Sequence, residues 1–278
     1  MDLTLVVMAA GLGSRFGGTK QLAEVGPDGE AFLDFAIDDA IAAGATRVVL
    51  IIRTDLRDDV QAHLDRRPHG VPITFVYQDE MGPPRDKPWG TAHAILAVAP
   101  VVDGPFMVVN ADDYYGASSY RALADAMVDL PEDRALLVAF EAGRTLPVEG
   151  SVSRGVCSTD GDALVELIET HEISAGPDGT IEVAGEPSDL DGDTPVSMNM
   201  FGLPGAFLDW LPDRWETWFA DNGHGEKTEF LLPTVIAELM AEGALDVRVV
   251  TTSEDWIGVT NPADLEAARE LLAVKRRG

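Results

Sequence analysis

Short runs of consecutive apolar residues alternate with segments whose apolar residues recur every three or four positions, and this alternation fills the first half of the chain. Leu3 to Met8 is one such run, suited to a strand buried on both faces. Phe32, Phe35, Ala36, Ala40 and Ala43 follow at helical spacing, which predicts a helix over 32–43 ended by Gly44. Arg47 to Ile52, Ile73 to Tyr77, Phe106 to Asn110 and Ala135 to Phe140 read as further strands. Between them, Asp55 to Leu64 and Ser118 to Val128 read as helices. Strands alternating with helices predict an α/β fold with a mostly parallel, doubly wound sheet.

The second half is less regular. Ser151 to Cys157 and Leu164 to Glu169 look like strands flanking a turn at Asp160-Gly161. The Gly-, Pro- and Asp-rich stretch from Ala175 to Asp193 predicts a long loop or hairpin. Val196 to Gly202 reads as a strand, and Glu229 to Glu242 and Pro262 to Ala273 as helices. No internal repeat is visible. The expected division is a nucleotide-binding half, residues 1–145, and an acceptor-binding half, residues 146–278, within one domain.

Composition then narrows the chemistry. With 278 residues the chain is long enough for one large domain or two lobes on a shared core. Its net charge of −28 argues against wholesale binding to nucleic acid, whose phosphates it would repel. No stretch of about 18 apolar residues exists, so no membrane span is expected. The first ten residues lack the basic region of a signal peptide, and a cytoplasmic location is the expectation. Cys157 is the single cysteine, which rules out an internal disulfide and disfavours a thiolate metal site. The oligomeric state, a homo-oligomer included, stays open.

After the first strand the chain reads Ala9-Ala10-Gly11-Leu12-Gly13-Ser14-Arg15-Phe16-Gly17-Gly18-Thr19-Lys20. Glycines at this point let the backbone turn sharply and aim N–H groups at phosphate. Phe16 stands where a dinucleotide fingerprint needs its third glycine, and Lys20 follows rather than precedes Thr19, so the P-loop pattern fails too. What remains is a glycine loop bearing Arg15 and closed by Lys20. Two cations there suit a triphosphate, because phosphoryl transfer depends on positioning and on neutralising charge. A structural turn with two solvated cations is the competing reading.

Ala-Ala-Gly-x-Gly-x-Arg-Phe followed by Lys-Gln resembles the signature of sugar-nucleotide pyrophosphorylases and related cytidylyltransferases. The resemblance runs over nearly the whole chain. It implies a MobA-like, GT-A-type nucleotidyltransferase: a Rossmann-like, mostly parallel mixed sheet with helices on both faces. It further implies a nucleoside triphosphate and a sugar 1-phosphate as substrates, Mg²⁺ as cofactor, and Arg15 and Lys20 as catalytic cations. Ala10, Gly11 and Gly13 correspond to the phosphate loop. Gln78 is similar to the glutamine that reads a pyrimidine, and Gly90-Thr91 opens a segment like the base-reading motif of uridylyl- and thymidylyl-transferring members. Asp112, in Asn110-Ala111-Asp112-Asp113, matches the metal ligand, and it is preferred over Asp113.

Arg154, Gly155, Glu169 and Asn199 match the acceptor-binding segments. The family's lysine after the glutamate is missing, because Thr170-His171 follows Glu169, so Arg154 or Lys227 is the candidate replacement at the sugar phosphate. The second metal ligand would fall at Gly258, leaving Asp264 as a candidate, with Thr260, Asn261 or Asp255 as others. Asn261-Pro262 and Asp264 also make a good helix start with no metal at all. A cytidylyltransferase on an alcohol phosphate and a catalytically silent nucleotide-sugar sensor are the competing functions.

Overall fold

A computed structural model describes residues 2–11, 22–147, 150–176, 180–184, 189–225, 227–258 and 264–275, the side chain of Asp264 excepted. In chain order the elements are β1 (Leu3–Met8), α1 (Phe32–Ala42), β2 (Ala45–Ile52), α2 (Arg57–Arg66), β3 (Ile73–Tyr77), α3 (Thr91–Leu96), β4 (Phe106–Asn110), β5 (Asp113–Tyr114), α4 (Ala117–Ala126) and β6 (Arg134–Glu141). There follow β7 (Val152–Asp160), β8 (Ala163–Ala175), β9 (Ile181–Val183), β10 (Pro195–Leu203), α5 (Phe207–Asn222), α6 (Leu232–Ala241), β11 (Asp246–Thr252), β12 (Ile257–Gly258) and α7 (Asp264–Lys275).

The main sheet runs β3-β2-β1-β4-β10-β6-β11-β8-β7, with β9 on β8 and a second contact between β10 and β7. Pairing is parallel from β3 to β4 and between β6 and β11. It is antiparallel wherever β10, or the β7–β8–β9 set, meets a neighbour. The sheet is therefore mixed, and its antiparallel part belongs to the second half of the sequence. β10 lies between β4 and β6, so both halves build one sheet.

Alternate side chains of each central strand feed opposite faces. Leu5, Val7, Leu50, Val109 and Val138 meet α1 and α4 through Leu33, Ile37, Tyr120 and Leu123. Val6, Ile51, Val108 and Leu137 meet α3, α5 and α6 through Ile95, Phe207, Leu211, Val235 and Leu239. A smaller cluster packs Ala268 and Leu272 of α7 against Phe32, Phe35, Tyr114 and Ile257.

Several boundaries depart from the sequence pattern. α5 contains Pro212, an exposed residue that reads as a breaker although Phe207, Leu208 and Leu211 anchor the helix in the core. β8 extends six residues past the predicted strand end, to Ala175, where Thr170 and Ile173 are buried between exposed neighbours. α6 starts at Leu232 rather than Glu229, because Phe230 is held extended by backbone bonds to Trp89 and Ala92 and Pro233 sits in the first turn. The stretch after β8 does form a hairpin, with β9 returning along it.

α1 is tied to the α2–β3 region by a cluster of titratable groups. Asp34, fully buried in the first turn of α1, accepts the Ala31 N–H at 2.7 Å and lies 2.9 Å from His63 Nε2 and 3.2 Å from His69 Nε2. The other nitrogen of His69 is 2.7 Å from Asp38 Oδ1, and Arg67 Nε stands 3.9 Å from Asp34. Burial opposes charge on Asp34, yet the bonds from His63, His69 and Ala31 outweigh it and hold the carboxyl below its ordinary range. Burial likewise opposes a charged His69, and its bonds to Asp34 and Asp38 override it, pushing the ring up to about 9. A histidine whose folded value exceeds its unfolded one stabilises fully below the unfolded value, and that stability is lost as pH rises through the folded one. Unfolding by urea should therefore become easier between about pH 6.5 and 9, by up to about 2 kcal/mol, and the His69→Gln variant should lose this slope. Equal slopes in both proteins would assign the pH dependence to other groups.

Candidate active site

The carboxyl ends of β1, β2, β3 and β4 lie side by side, which is where open α/β sheets bind ligands. At the end of β1, Ala9 N–H bonds Ile51 O at 2.8 Å, Ala10 is buried and Gly11 is exposed. Gly13, Arg15 and Lys20 lie outside the described residues, as does the side chain of Asp264.

The end of β4 is more fully specified. Asp113 Oδ2 accepts from Asn110 Nδ2 at 2.8 Å and lies 3.2 Å from the Tyr115 hydroxyl. That hydroxyl accepts the Asn110 N–H at 3.1 Å and is 3.0 Å from Met198 O. Its single hydrogen is shared between the carboxylate and the carbonyl. Burial first, and then the charge of Asp113, raise the Tyr115 phenol well above its ordinary value, so it stays a donor. Asp112, half-buried, stands beside Asp113.

Facing these acids is a bulge in β10. Its pairing with β6 shifts between Ser197 and Phe201, and within that shift Asn199 takes φ of 61°. Asparagine tolerates the left-handed region better than most residues. The Asn199 N–H turns back to Ser197 Oγ at 3.3 Å. Beyond β10, Gly155 of β7 pairs with Ser197 on one side and Glu169 of β8 on the other. A side chain at 155 would begin 3.0 Å from Leu167 Cδ1 and 3.4 Å from Ser197 Cβ, so this glycine keeps three strands close.

These elements enclose a cavity of about 770 Å³. Asp112, Asp113, Arg154, Gly155, Glu169, Asn199 and Thr91 line it, together with His171, Met198 and Trp256. The structure thus brings the expected metal ligand and four of the five expected acceptor residues to one space. Lys227 is not among them: it is exposed in the loop between α5 and α6. Of the two candidates to replace the missing lysine, only Arg154 reaches the cavity.

Arg154 is buried, at 9% exposure. Its Nε donates to Thr145 Oγ1 at 3.2 Å, Nη1 to Ser153 O at 2.9 Å and Nη2 to Thr145 O at 2.5 Å. The guanidinium lies over the Trp256 ring, 4.8 Å from its centroid. Burial lowers its pKa to about 10, while Asp113 and Glu169 act the other way from a distance. No local pattern in the sequence couples Thr145 or Trp256 to Arg154, and only the fold does.

Gln78 and Gly90-Thr91 have structural partners as well. Gln78 Nε2 donates to Gly90 O at 2.9 Å and lies 3.4 Å from His93 Nδ1. Gln78 lines a separate cavity of about 270 Å³ with Arg53, Met81, Trp89 and His93. Burial lowers the His93 pKa to about 4, so the ring is neutral near pH 7. Gly90 has φ of 117°, and a side chain there would begin 2.4 Å from Phe230 O. The close approach that requires this glycine is thus to Phe230. Thr91 Oγ1 accepts the Leu232 N–H at 2.9 Å and so caps α6.

Among the described residues no group of three or more His, Cys, Asp or Glu side chains is arranged to hold a metal. Asp112 and Asp113 present a two-carboxylate oxygen set, which fits Mg²⁺ when ligand phosphates and waters complete its shell. Asp255, a candidate for the second ligand, is engaged by Arg144 at 3.0 Å and Lys275 at 2.9 Å. Thr260 and Asn261 lie outside the described residues. No described helix is long and apolar enough to cross a membrane.

The chain is similar in sequence and in fold to known proteins. The chain is 33% identical over 174 residues to the UTP–glucose-1-phosphate uridylyltransferase AglF of Haloferax volcanii, a match covering 60% of this chain and 65% of that protein. Its fold is that of a Bacillus anthracis protein described as a glucose-1-phosphate thymidylyltransferase, with TM-score 0.64 and 15% identity over 97% of this chain and 95% of the other. It also matches the inositol-1-phosphate CTP transferase of T. maritima, with TM-score 0.63 and 16% identity over 98% and 95%. Residues 5–173 match the MobA-like NTP transferase domain, and the chain belongs to that family.

Proposed function

We propose that this protein transfers a nucleoside monophosphate from UTP or dTTP to a sugar 1-phosphate and releases pyrophosphate. The observation that carries this reading is the 770 Å³ cavity, where the acids at the end of β4 face Arg154, Glu169 and Asn199 of the second half. A phosphate oxygen of the acceptor attacks the α-phosphorus in line; the new P–O bond forms as the bond to the pyrophosphate oxygen breaks. The electron pair leaves with pyrophosphate, and no covalent enzyme intermediate is needed.

Arg15 and the N–H groups of the Ala10–Gly13 loop hold the β- and γ-phosphates, and Lys20 neutralises charge at the attacked phosphorus. Asp112 is the residue to hold Mg²⁺, which when bound would offset charge on the α-phosphate. Asp113, engaged by Asn110 and Tyr115, fixes the end of β4. Arg154 receives the acceptor phosphate, while Glu169 and Asn199 bond its hydroxyls. Gln78 has its amide nitrogen committed to Gly90 O, leaving its oxygen to accept. The N3–H of uracil or thymine can donate to that oxygen, whereas N3 of cytosine has no proton to give.

A screen of UTP, dTTP, CTP, ATP and GTP against a panel of sugar 1-phosphates, read as pyrophosphate release, tests the reading. Uracil or thymine triphosphates should be preferred over CTP by about 10- to 100-fold, the cost of one mismatched buried polar contact. A purine preference, or no turnover with any pair, would refute it. Arg15→Ala and Lys20→Ala should each lower turnover by about 10²-fold or more with little change in melting temperature. Asp112→Asn should weaken Mg²⁺ activation far more than Asp113→Asn, whose main effect should be on thermal stability. The reverse order in a Mg²⁺ titration would move the metal to Asp113.

A further inference from the structure

The buried charge of Arg154 has neutral partners for three of its N–H groups: the hydroxyl and carbonyl of Thr145 and the carbonyl of Ser153. Among the described residues no carboxylate forms an ion pair with it, although the chain carries 48 acidic side chains against 20 Lys and Arg. A guanidinium removed from water is costly unless anions offset it; Asp113 and Glu169 act on this one only from a distance, and it borders a cavity large enough for a sugar phosphate.

Its surroundings hold it in place. One face lies on Trp256, which contributes a cation–π attraction. Thr145, itself buried, uses its hydroxyl proton on Ala142 O at 3.0 Å and so keeps a lone pair for Arg154 Nε. Trp256 is fixed in turn by the preceding residues of both segments. Its N–H bonds Arg144 O at 3.2 Å, and the Arg144 side chain pairs with Asp255 at 3.0 Å. Residues 144–145 and 255–256 therefore form a clip on two sides of the guanidinium.

Gly258 completes the clip by leaving room for it. A side chain at 258 would begin 2.2 Å and 2.4 Å from two carbons of the Trp256 ring, too close for any packing. It would also lie 3.1 Å from Asp113 Oδ1, a lesser encroachment. The indole occupies the space that a side chain at 258 would otherwise fill.

The geometry points to Trp256, Thr145 and the bare Gly258 as positioning elements that hold Arg154 as a preformed receptor for one phosphate group, that of the acceptor. The acceptor's phosphate is identified on the transferase reading above; the receptor stands on the contacts alone.

The test is calorimetric binding of inorganic phosphate, without nucleotide, to the wild-type chain and to variants checked for native circular dichroism. The binding event lost in Arg154→Met defines the receptor. Arg154→Lys, which keeps charge but not the planar fork, should bind about tenfold more weakly, and it decides the matter if Arg154→Met fails to fold. Trp256→Ala and Gly258→Ala should each weaken phosphate about tenfold, whereas Trp256→Phe should stay near wild type because it keeps an aromatic face. Adding Gly258→Ala to Trp256→Ala should cost far less than Gly258→Ala does alone, since the ring it would strike is gone and only the lesser approach to Asp113 Oδ1 remains.

Wild-type phosphate affinity in Trp256→Ala, in Arg154→Lys or in Arg154→Met would overturn the proposal. So would full additivity in the double variant, or a wild-type chain that binds no phosphate. In steady-state kinetics, the same two single variants should raise KM for the acceptor about tenfold and leave KM for the triphosphate unchanged. An expected phosphate series with no turnover of any substrate pair would remove the transferase reading and keep the receptor. Turnover with both KM values unchanged in Trp256→Ala would do the opposite.

Discussion

The Tyr115 hydroxyl, closed off from water, touches the Asn110 N–H, the Asp113 carboxylate and the Met198 carbonyl at once. Asn110 ends β4, Asp113 begins β5 and Met198 lies in the bulge of β10, so one phenol joins the halves of the site. Without it, the Asn110 N–H, the Asp113 carboxylate and the Met198 carbonyl would each lose a partner. The bulge needs such an anchor. Asn199 sits in a left-handed conformation that an uninterrupted strand would not adopt, and that conformation turns it toward the cavity. The opposition of Asp112 to Arg154 across the cavity depends on β4 and β10 keeping this relation.

Electrostatics reinforce the arrangement. A chain of net charge −28 repels polyanions as a whole, yet its cavity holds a guanidinium with which, among the described residues, no carboxylate forms an ion pair. Arg154 is a single local positive charge among the cavity's carboxylates Asp112, Asp113 and Glu169. The buried Asp34–His69–Asp38 cluster lies elsewhere, between α1 and the α2–β3 segment, and its charges are mutually satisfied. Paired ions stabilise the fold there; here the Arg154 N–H groups meet the neutral oxygens of Thr145 and Ser153.

The sequence discloses those features whose cause is local. Apart from Thr4, Arg47 and Asn110, the segments Leu3–Met8, Arg47–Ile52 and Phe106–Asn110 are apolar because parallel central strands are covered on both faces, and that pattern needs no partner to be read. Asp112 was legible because it follows such a run at the ligand-binding edge. α5 was not, since Pro212 interrupts its pattern while the helix is held by tertiary packing of Phe207 and Leu211. Gly90 was read for what a ligand would require, whereas the neighbour that excludes a side chain is Phe230, 140 residues away in sequence. Thr145 and Trp256 stand on either side of Arg154 in space but far apart along the chain, and no spacing rule links them. Lys227 had the right charge; only the loop geometry shows that it stays outside.

The position of β10 has a consequence for how the molecule is made. Val108 of β4 pairs with Phe201, so a nascent chain must extend some ninety residues past β4 before that edge is covered. Until then β4 offers unpaired backbone groups on a strand that is apolar from Phe106 to Val109, the kind of edge that recruits other chains. β6 is in the same state, because its two neighbours, β10 and β11, both come later. Pairings of such long sequence separation close slowly. The chain therefore acquires its central strand late in synthesis, and its most aggregation-prone edges are exposed for the longest time at the ribosome.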